Sequence, residues 1–346
     1  MTRCWLSENH IAITTSGRIL PCTRYKKTEG PNIMDHSLAE IWNGEWLTEI
    51  RSELRAGNKI DGCRKCWTQE QAGVQSMRQE YTGEWTNKLQ SIEIAFSNHC
   101  NYACRHCNSF SSSKWYEDDI AIGRPTPKKK LVEFNIDNVD NIDNIVYYKF
   151  LGGEPLLNKS HDKLLQKIKN IEKVTLEYTT NGSIYPNKTV IEKWKKSNKV
   201  ILSVSLDDVY NGFDYFRTGG DFNTVISNCK KFDKLNIVCI FHVVLNALNL
   251  HRMPIILSFI EQNFPNWYVY FDKVDLPEYL RTSQWSKTEG DKIISQVTNP
   301  RLKKLIAQEC VNEKTDLKKL LDINSILDSR RNTNMFEVYP ILNNFR

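Results

Sequence analysis

The cysteines Cys100, Cys104 and Cys107 form a C-x-x-x-C-x-x-C pattern within the stretch SNHCNYACRHCNSF, residues 97–110. Their spacing is too tight for two separate disulfides, and at this cysteine frequency the pattern arises by chance in roughly one chain in a hundred. Thiolates on a short loop of this kind are typical ligands of an iron–sulfur cluster. Because three thiolates leave one iron of a four-iron cluster without a protein ligand, the loop predicts a place where a reactant binds.

A zinc site is the alternative interpretation of this loop. Structural zinc usually has four protein ligands, and no fourth cysteine lies nearby, so His99 or His106 would have to complete the site. We favour the iron–sulfur interpretation because it needs no further ligand.

Four more cysteines lie upstream, at Cys4, Cys22, Cys63 and Cys66. The last two form a C-x-x-C pair after a predicted helix, a pattern shared by zinc sites, redox pairs and cluster sites. Two further cysteines make four ligands available, which disfavours a simple redox pair and leaves zinc open. Cys4 is the least certain ligand, since it stands alone near a terminus.

The elements around the three-cysteine loop follow a strand–helix rhythm. Six predicted strands alternate with helices along the chain, at residues 89–96, 144–153, 173–182, 199–207, 236–246 and 267–274. Such alternation predicts parallel βαβ units and therefore an α/β fold. The rhythm fits an open partial barrel and a doubly wound sheet equally well.

Polar side chains stand on one face of these strands, near the carboxyl ends where the sites of βα barrels are built. Strands that are buried on both faces should be almost purely apolar, so this face predicts a polar interior that a ligand satisfies. The alternative is a set of inward polar groups that bond to one another and to water. The candidate catalytic residues on this face are Glu93, Glu177 and His242.

The loop sequence CNYACRHC resembles the cluster loop of the radical S-adenosylmethionine (SAM) superfamily. The resemblance implies that its cysteines hold a 4Fe–4S cluster whose open iron is chelated by the amino and carboxylate groups of SAM. Reductive cleavage of SAM would give a 5′-deoxyadenosyl radical that takes a hydrogen atom from the substrate, while the protein orients and shields the cofactors. An external one-electron reductant, flavodoxin- or ferredoxin-like, is then a partner. The sequence departs from the family at His106, where an aromatic residue or Met is common.

Other segments resemble the SAM-binding motifs of that superfamily. GGEP follows the second predicted strand, and in the superfamily this motif holds the amino group of SAM. TTNG and SLDD resemble the third and fourth strand edges, where hydroxyls and Asp contact the ribose or the carboxylate. The candidate SAM-binding residues are Gly152, Gly153, Glu154, Pro155, Thr180, Asn181, Ser203, Ser205, Asp207, Arg217 (for the carboxylate) and Asn246 (for the adenosine).

The first ninety residues have a different pattern. IAITTSGRILPC predicts a hairpin with a Ser-Gly turn, and Ser37 with Glu40 predicts a capping box at the start of an apolar helical stripe that ends at Gly57. The segments GRILPC, SLAEIW and CRKCW resemble the twitch module, a shortened relative of the SPASM domain. This resemblance implies that Cys4, Cys22, Cys63 and Cys66 bind an auxiliary 4Fe–4S cluster.

We therefore predict three regions: an auxiliary cluster domain at residues 1–86, a partial (β/α)6 TIM-like barrel at 87–275, and a C-terminal helical extension at 276–346 whose role the sequence does not reveal. The predicted function is that of a radical SAM enzyme that modifies a peptide or protein side chain. The alternatives are an oxidoreductase or isomerase of a small polar molecule, and a zinc-binding protein without SAM chemistry.

The bulk composition, with 40% hydrophobic residues, 25% charged residues and a net charge of +6, is typical of a globular protein. Neither a membrane span nor the apolar core of a secretory signal is found in the sequence, so we expect a cytoplasmic protein. The lysines are spread out and PKKK (127–130) is short, so nucleic-acid binding is not expected.

Overall fold

The computed structural model describes residues 2–26, 29–140 and 142–346. Its strands form one sheet in the order β2-β1-β3-β4-β5-β6-β7-β8. The strands are β1 (His10–Ile13), β2 (Ile19–Leu20), β3 (Ser91–Ala95), β4 (Tyr147–Leu151), β5 (Thr175–Thr180), β6 (Lys199–Ser205), β7 (Val238–Leu245) and β8 (Tyr268–Lys273).

The sheet confirms the α/β prediction, because each of the six predicted strands forms, as β3 to β8. Parallel pairing is present between β3 and β4, between β4 and β5, and between β7 and β8. The predicted hairpin also forms, since β1 pairs antiparallel with β2. One pairing was not predicted: β1 lies parallel to β3, with Ile11 opposite Ile92.

Fifteen α-helices occur in the described residues. The first 90 residues contain α1 (Trp5–Asn9), α2 (Leu38–Asn43), α3 (Glu45–Arg55), α4 (Arg64–Gln71) and α5 (Met77–Glu80). Helices α6 (Tyr116–Ala121), α7 (Lys159–Lys167), α8 (Lys188–Lys196), α9 (Asn211–Phe216), α10 (Phe222–Phe232) and α11 (Met253–Asn263) follow within the βα repeats. The last part contains α12 (Lys287–Gln296), α13 (Pro300–Glu309), α14 (Lys318–Arg331) and α15 (Met335–Val338).

The predicted apolar helix after Ser37 is in fact two helices. The capping box forms as predicted, with the Ser37 side chain accepting from the backbone of Glu40 and the Glu40 carboxylate accepting from the backbone of Ser37. Gly44 then adopts an extended conformation (φ −68°, ψ 159°), which ends α2 and starts α3. An extended residue breaks the helical hydrogen-bond ladder, and the 3.6-residue periodicity of the sequence does not reveal it.

The two faces of the sheet differ in burial. Along β4, β5 and β6 every second side chain is fully buried, as in Tyr148, Phe150 and Tyr178. Tyr178 accepts hydrogen bonds in this core from Trp194 Nε1 on α8, at 3.0 Å. The alternate positions are half-buried and carry polar groups, so one face forms the hydrophobic core and the other is available to a ligand.

The chain divides into two compact units. The first contains residues 1–99, 131–179 and 186–201, and the second contains residues 100–130, 180–185 and 202–346. This division does not follow the predicted borders near residues 86 and 275, which stay predictions. Within the described residues, none of the helices combines the length and apolarity that crossing a bilayer requires.

Candidate metal centres and active site

The three-cysteine loop follows β3, and its thiols lie in the second unit. Cys100 and Cys104 are each 8% exposed, and Cys107 is half-buried. Burial raises the pKa of the Cys107 thiol, and the neighbouring Cys104 and Cys100 thiols raise it further. The three thiols are thus near one another on one short loop, and metal binding would remove their protons.

Three N–H groups point at the sulfurs of this loop. The backbone amide of Tyr102 lies 3.5 Å from Cys100 Sγ, and Asn181 Nδ2 lies 3.9 Å from the same sulfur. Arg217 Nη1 lies 3.6 Å from Cys104 Sγ. Hydrogen bonds to sulfur stabilise thiolates and tune the reduction potential of a cluster. The donor set therefore fits a 4Fe–4S cluster held by three thiolates.

Arg217 and Asp207 form a buried ion pair behind the loop. Arg217 Nη2 lies 2.6 Å from Asp207 Oδ2, and Asp207 Oδ1 accepts from the backbone amide of Val244 at 3.0 Å. The His106 ring stacks on Phe216 with centroids 5.2 Å apart, and burial lowers the pKa of His106 to about 4. The predicted ligands of the ribose and carboxylate of SAM are thus paired with each other, and those two roles stay predictions.

A buried arginine inside the loop, Arg105, anchors it to helix α14. Its guanidinium is fully buried and donates to Asn324 Oδ1 at 3.0 Å, Asp328 Oδ1 at 2.6 Å and Thr333 Oγ1 at 2.8 Å. The sequence analysis did not find this function for the C-terminal region. A signal existed, because Asn324 and Asp328 are four residues apart and so share one helix face.

Two further contacts hold the backbone of the loop. Trp115 Nε1 donates to the carbonyl of Cys104 at 2.7 Å, and Arg331 Nη1 donates to the carbonyl of Ala103 at 3.0 Å. Trp115 and Ala103 also pack against Leu327 of α14 in one buried cluster. The spacing of the thiols therefore depends on α14 as well as on the loop itself.

The GGEP turn lies in the first unit, directly after β4. Gly152 (φ +80°) and Gly153 (φ +56°) both occupy the left-handed region that favours glycine. A Cβ on Gly153 would lie 2.1 Å from the carbonyl oxygen of His99, which accepts from the amide of Glu154 at 2.9 Å. The turn thus packs on the residue that precedes Cys100, and Glu154 is 1% exposed. A Glu held in this way, followed by Pro155 in a 3-10 turn, fits the predicted motif.

The other predicted SAM ligands lie in the second unit. Thr180 Oγ1 accepts from the amide of Gly182 at 3.1 Å, and Asn181 Nδ2 donates to Asn101 Oδ1 at 2.8 Å. Ser203 and Ser205 are half-buried on the polar face of β6. Asn246 is fully buried and shapes the turn after β7 by donating to the carbonyl of Val244 at 2.9 Å. The structure brings Asn181 to the cysteine loop but does not test adenosine binding by Asn246.

A row of charged side chains crosses the polar face of the first unit. Glu93, Lys149 and Glu177 are register partners on β3, β4 and β5. Lys149 Nζ lies 3.1 Å from Glu177 Oε1, and the Tyr147 hydroxyl donates to Glu177. The predicted candidates Glu93 and Glu177 therefore share one site with Lys149, which the sequence analysis missed. Lys149 lies two residues before the end of β4, as Glu93 does on β3. The alternation of side chains that places Glu93 on the polar face therefore also predicts that position for Lys149.

The environment of the charged row shifts the pKa values of its members and of a nearby histidine. Burial raises the pKa of Glu93 in spite of the opposing attraction of Lys149. Burial also acts to lower the pKa of Lys149, but Glu177 and Glu93 raise it overall. Lys149 thus stays protonated, and burial with the nearby Lys149 charge lowers the pKa of His10 to about 3. The third candidate, His242, lies in the second unit opposite Tyr270 of β8.

The four upstream cysteines come together in the first unit. Cys4 precedes α1, Cys22 follows β2, and Cys63 and Cys66 lie at the start of α4. Cys4 and Cys66 are each 7% exposed, and Cys22 and Cys63 pack against the same apolar cluster as Cys4. Burial raises the pKa of Cys22 to about 12, with further contributions from the Cys4 and Cys66 thiols. Four thiols in an apolar pocket fit a fully ligated auxiliary cluster.

Among the described residues, no three His, Cys, Asp or Glu side chains form a group that could hold a metal ion. Each thiolate of a four-iron cluster binds a different iron, so the ligands of a cluster stand farther apart than the ligands of one zinc ion. The fit of the two cysteine sets to clusters therefore rests on their thiols, their burial and their N–H donors.

Family models match both cysteine-bearing regions. A model of the radical SAM superfamily matches residues 94–260, and a model of the SPASM iron–sulfur cluster-binding domain matches residues 4–67. The chain belongs to the radical SAM superfamily. Its cofactors are a 4Fe–4S cluster with SAM and an auxiliary iron–sulfur cluster in the N-terminal SPASM domain. The predicted partial barrel and the predicted N-terminal cluster domain are confirmed, and a zinc-binding protein without SAM chemistry is wrong.

This radical SAM enzyme is similar to proteins with different functions. It is 30% identical to the radical SAM cyclopropyl synthase TigE of Paramaledivibacter caminithermalis over 151 residues, which cover 40% of this chain and 31% of the synthase. It is 26% identical to a probable GTP 3′,8-cyclase of Methanocaldococcus jannaschii over 182 residues, which cover 50% of this chain and 55% of the cyclase. The matched regions thus span between about a third and about half of these relatives.

Similar solved structures include peptide complexes. anSMEcpe with bound AdoMet is 16% identical, with a TM-score of 0.45 and coverage of 59% of this chain and 56% of that chain. Streptococcus suis SuiB bound to the precursor peptide SuiA is 14% identical, with a TM-score of 0.37 and coverage of 97% of this chain and 74% of that chain.

Replacing Asp328 by Ala should destabilise the protein by about 3 kcal/mol, because the buried Arg105 would lose its carboxylate partner. The cysteine loop should also loosen, so iron bound after anaerobic reconstitution should fall. Chemical denaturation and an iron assay measure these effects. The matched control is Asp322→Ala, an exposed acid on the same helix, which should change stability by less than about 0.5 kcal/mol. Equal effects of the two variants would contradict the anchoring role of Arg105.

Replacing Gly153 by Ala should weaken SAM binding at least about tenfold, since the added methyl group collides with the carbonyl of His99 and displaces the GGEP turn. Gly73→Ala is the control, because Gly73 also has positive φ (+68°) but has nothing within 4 Å of the new Cβ. Equilibrium dialysis with SAM separates the two variants. Unchanged SAM affinity in Gly153→Ala would show that the turn does not contact SAM.

Proposed function

We propose that Cys100, Cys104 and Cys107 hold the cluster that binds SAM, and that Cys4, Cys22, Cys63 and Cys66 hold the auxiliary cluster. The observation that carries this proposal is the set of three thiols on one loop, with Cys100 and Cys104 buried, Cys107 half-buried, and N–H donors directed at Cys100 and Cys104. With SAM bound, this cluster would supply the electron for reductive cleavage of SAM, the chemistry that yields a hydrogen-abstracting 5′-deoxyadenosyl radical.

The residues of this chain would then hold SAM in one orientation. The glycines of GGEP let the backbone approach closely, and Glu154 offers a carboxylate and backbone carbonyls to the ammonium group of SAM. The Arg217 guanidinium, held by Asp207, provides a fixed positive charge beside Cys104. The His106 ring, stacked on Phe216, provides a flat aromatic surface next to that charge.

We infer that the substrate is a peptide or protein side chain. This inference is supported by the SPASM domain at residues 4–67, because members of the superfamily with twitch or SPASM modules often modify peptides. The charged row on the sheet also supports it. Glu93, Lys149 and Glu177 provide both signs of charge on neighbouring strands, which suits the polar groups of a peptide backbone and its side chains.

A small polar molecule is the second candidate substrate. Relatives named as GTP 3′,8-cyclases match about half of this chain, and this observation favours a nucleotide. However, the charged row contains two carboxylates and one ammonium group, which would repel a polyphosphate at that position. Two assays decide between these substrates. Mass spectrometry detects modification of a peptide, and a second assay measures consumption of GTP.

The row also suggests how the chain would handle protons. Glu93 is a carboxyl whose burial raises its pKa, so it binds a proton more readily than an exposed carboxyl does. Lys149 stays charged between its two carboxylate partners and would position the row rather than act as a base. We propose that Glu93 exchanges a proton with a polar group of the substrate while Lys149 and Glu177 fix its geometry.

The reconstituted wild type should contain about eight irons per chain in two four-iron clusters. Cys104→Ala should leave about four irons and abolish 5′-deoxyadenosine formation, whereas Cys66→Ala should also leave about four irons but still cleave SAM. Anaerobic iron and sulfide assays and chromatography of 5′-deoxyadenosine measure these outcomes. Stoichiometric zinc in the wild type, or SAM cleavage by Cys104→Ala, would refute the assignment.

Replacing Lys149 by Met should lower product formation at least about tenfold while SAM is still cleaved, because the two carboxylates would lose the charge that orders them. The ratio of 5′-deoxyadenosine to product should therefore rise, and Lys149→Arg should restore part of the coupling. The exposed Lys163 on α7 provides the control variant Lys163→Met. If Lys149→Met kept the wild-type ratio of 5′-deoxyadenosine to product, the charged row would have no role in the reaction.

A further inference from the structure

The hairpin and the start of α4 enclose a pocket of about 280 Å³ in the N-terminal domain. Its lining includes Arg18, Arg24, Lys26 and Lys65, together with the hydroxyl-bearing Thr14 and Thr23. We call this site the basic pocket. Neither the cluster ligands nor the predicted SAM ligands belong to it.

The basic pocket has an excess of positive charge. None of its described lining residues carries a carboxylate, and in the described part of the chain Arg18, Arg24 and Lys26 form no ion pair. Arg24 and Lys26 are exposed, and Arg18 and Lys65 are half-buried. Arg18, Arg24 and Lys26 thus place three positive charges at the cavity that can attract anionic groups without giving up an ion pair among the described residues.

The backbone fixes this arrangement beside the auxiliary cysteines. The amide of Thr14 donates to the carbonyl of Arg18 at 2.9 Å, which closes the hairpin. The amide of Lys26 donates to the carbonyl of Gly62 at 2.9 Å, next to Cys63. A Cβ on Gly62 would lie 2.2 Å from the ring of Tyr25, so the two segments are closely packed. The cations are thus presented by a compact part of the fold.

We propose that the basic pocket binds acidic side chains of the peptide on which the enzyme acts, a proposal that rests on the peptide substrate proposed above. The volume supports this occupant, because about 280 Å³ lies below the roughly 300–1,000 Å³ of pockets that enclose a whole small ligand. The occupant is therefore part of a larger molecule that continues outside. Guanidinium groups bind carboxylates in a bidentate manner, and the threonine hydroxyls complete the donor set.

The test measures binding of a fluorescein-labelled, glutamate-rich decapeptide to the anaerobically reconstituted holoenzyme by fluorescence anisotropy. Arg18→Glu/Arg24→Glu should weaken binding roughly tenfold or more, and high salt should weaken binding to the wild type. The control Lys128→Glu/Lys129→Glu makes the same change in net charge at two exposed lysines of PKKK and should bind as the wild type does. Iron content verifies that each variant is folded.

Three results would overturn the proposal: no binding of the acidic peptide to the wild type, equal loss in the two double variants, or displacement by inorganic pyrophosphate at far lower concentration than by unlabelled peptide. The last result would assign the pocket to phosphate groups. A fourth result would also overturn the proposal: normal peptide binding by Arg18→Glu/Arg24→Glu, which together with slow cluster reduction by an acidic flavodoxin would assign the pocket to the reductant. SAM and reductant are absent from the binding assay, so a failure to bind the acidic peptide would not contradict the proposed radical chemistry. Conversely, a failure to modify a peptide would not contradict the binding result.

Discussion

The buried guanidinium of Arg105 is the interaction on which the cysteine loop depends. A charge removed from water is stable only when partners satisfy it, and here an amide, a carboxylate and a hydroxyl all receive its N–H groups. Because Arg105 directly follows Cys104, the direction of its side chain determines the path of the loop. Helix α14 therefore supports the cysteine loop, although none of its residues is a candidate ligand.

The two faces of the sheet carry different kinds of side chain. Large aromatic side chains such as Phe150 and Tyr178 on one face pack with helices and stabilise the fold. The opposite face carries Glu93, Lys149 and Glu177, where Lys149 is paired with Glu177 and its charge is stabilised by both carboxyl groups. Residues of both kinds alternate along the same strands, so the strand geometry itself places these charged groups together on one face of the sheet.

The sequence predicted the elements that depend on local signals. Strands β3 to β8, the hairpin and the capping box at Ser37 follow from alternation, turn residues and side-chain caps. The break at Gly44 was missed because its extended conformation is not encoded by apolar spacing. The partners of Arg105 were missed because they lie more than two hundred residues away in the chain. The spacing of Asn324 and Asp328 places both on one helix face, but nothing in the local sequence connects that face with Arg105. The mutual pairing of Asp207 and Arg217 was missed for a similar reason, since both had been considered only as ligands.

The parallel pairing of β1 with β3 has a consequence for how such enzymes diversify. The strand that opens the SPASM domain is hydrogen-bonded to the strand that leads into the cluster loop, along four register pairs. Exchange of this domain between relatives would thus require a cut through a continuous hydrogen-bond ladder and not through a flexible tether. We therefore expect recombination to keep β1 and β3 together. New substrate preferences should then arise by substitution of the residues around these two strands.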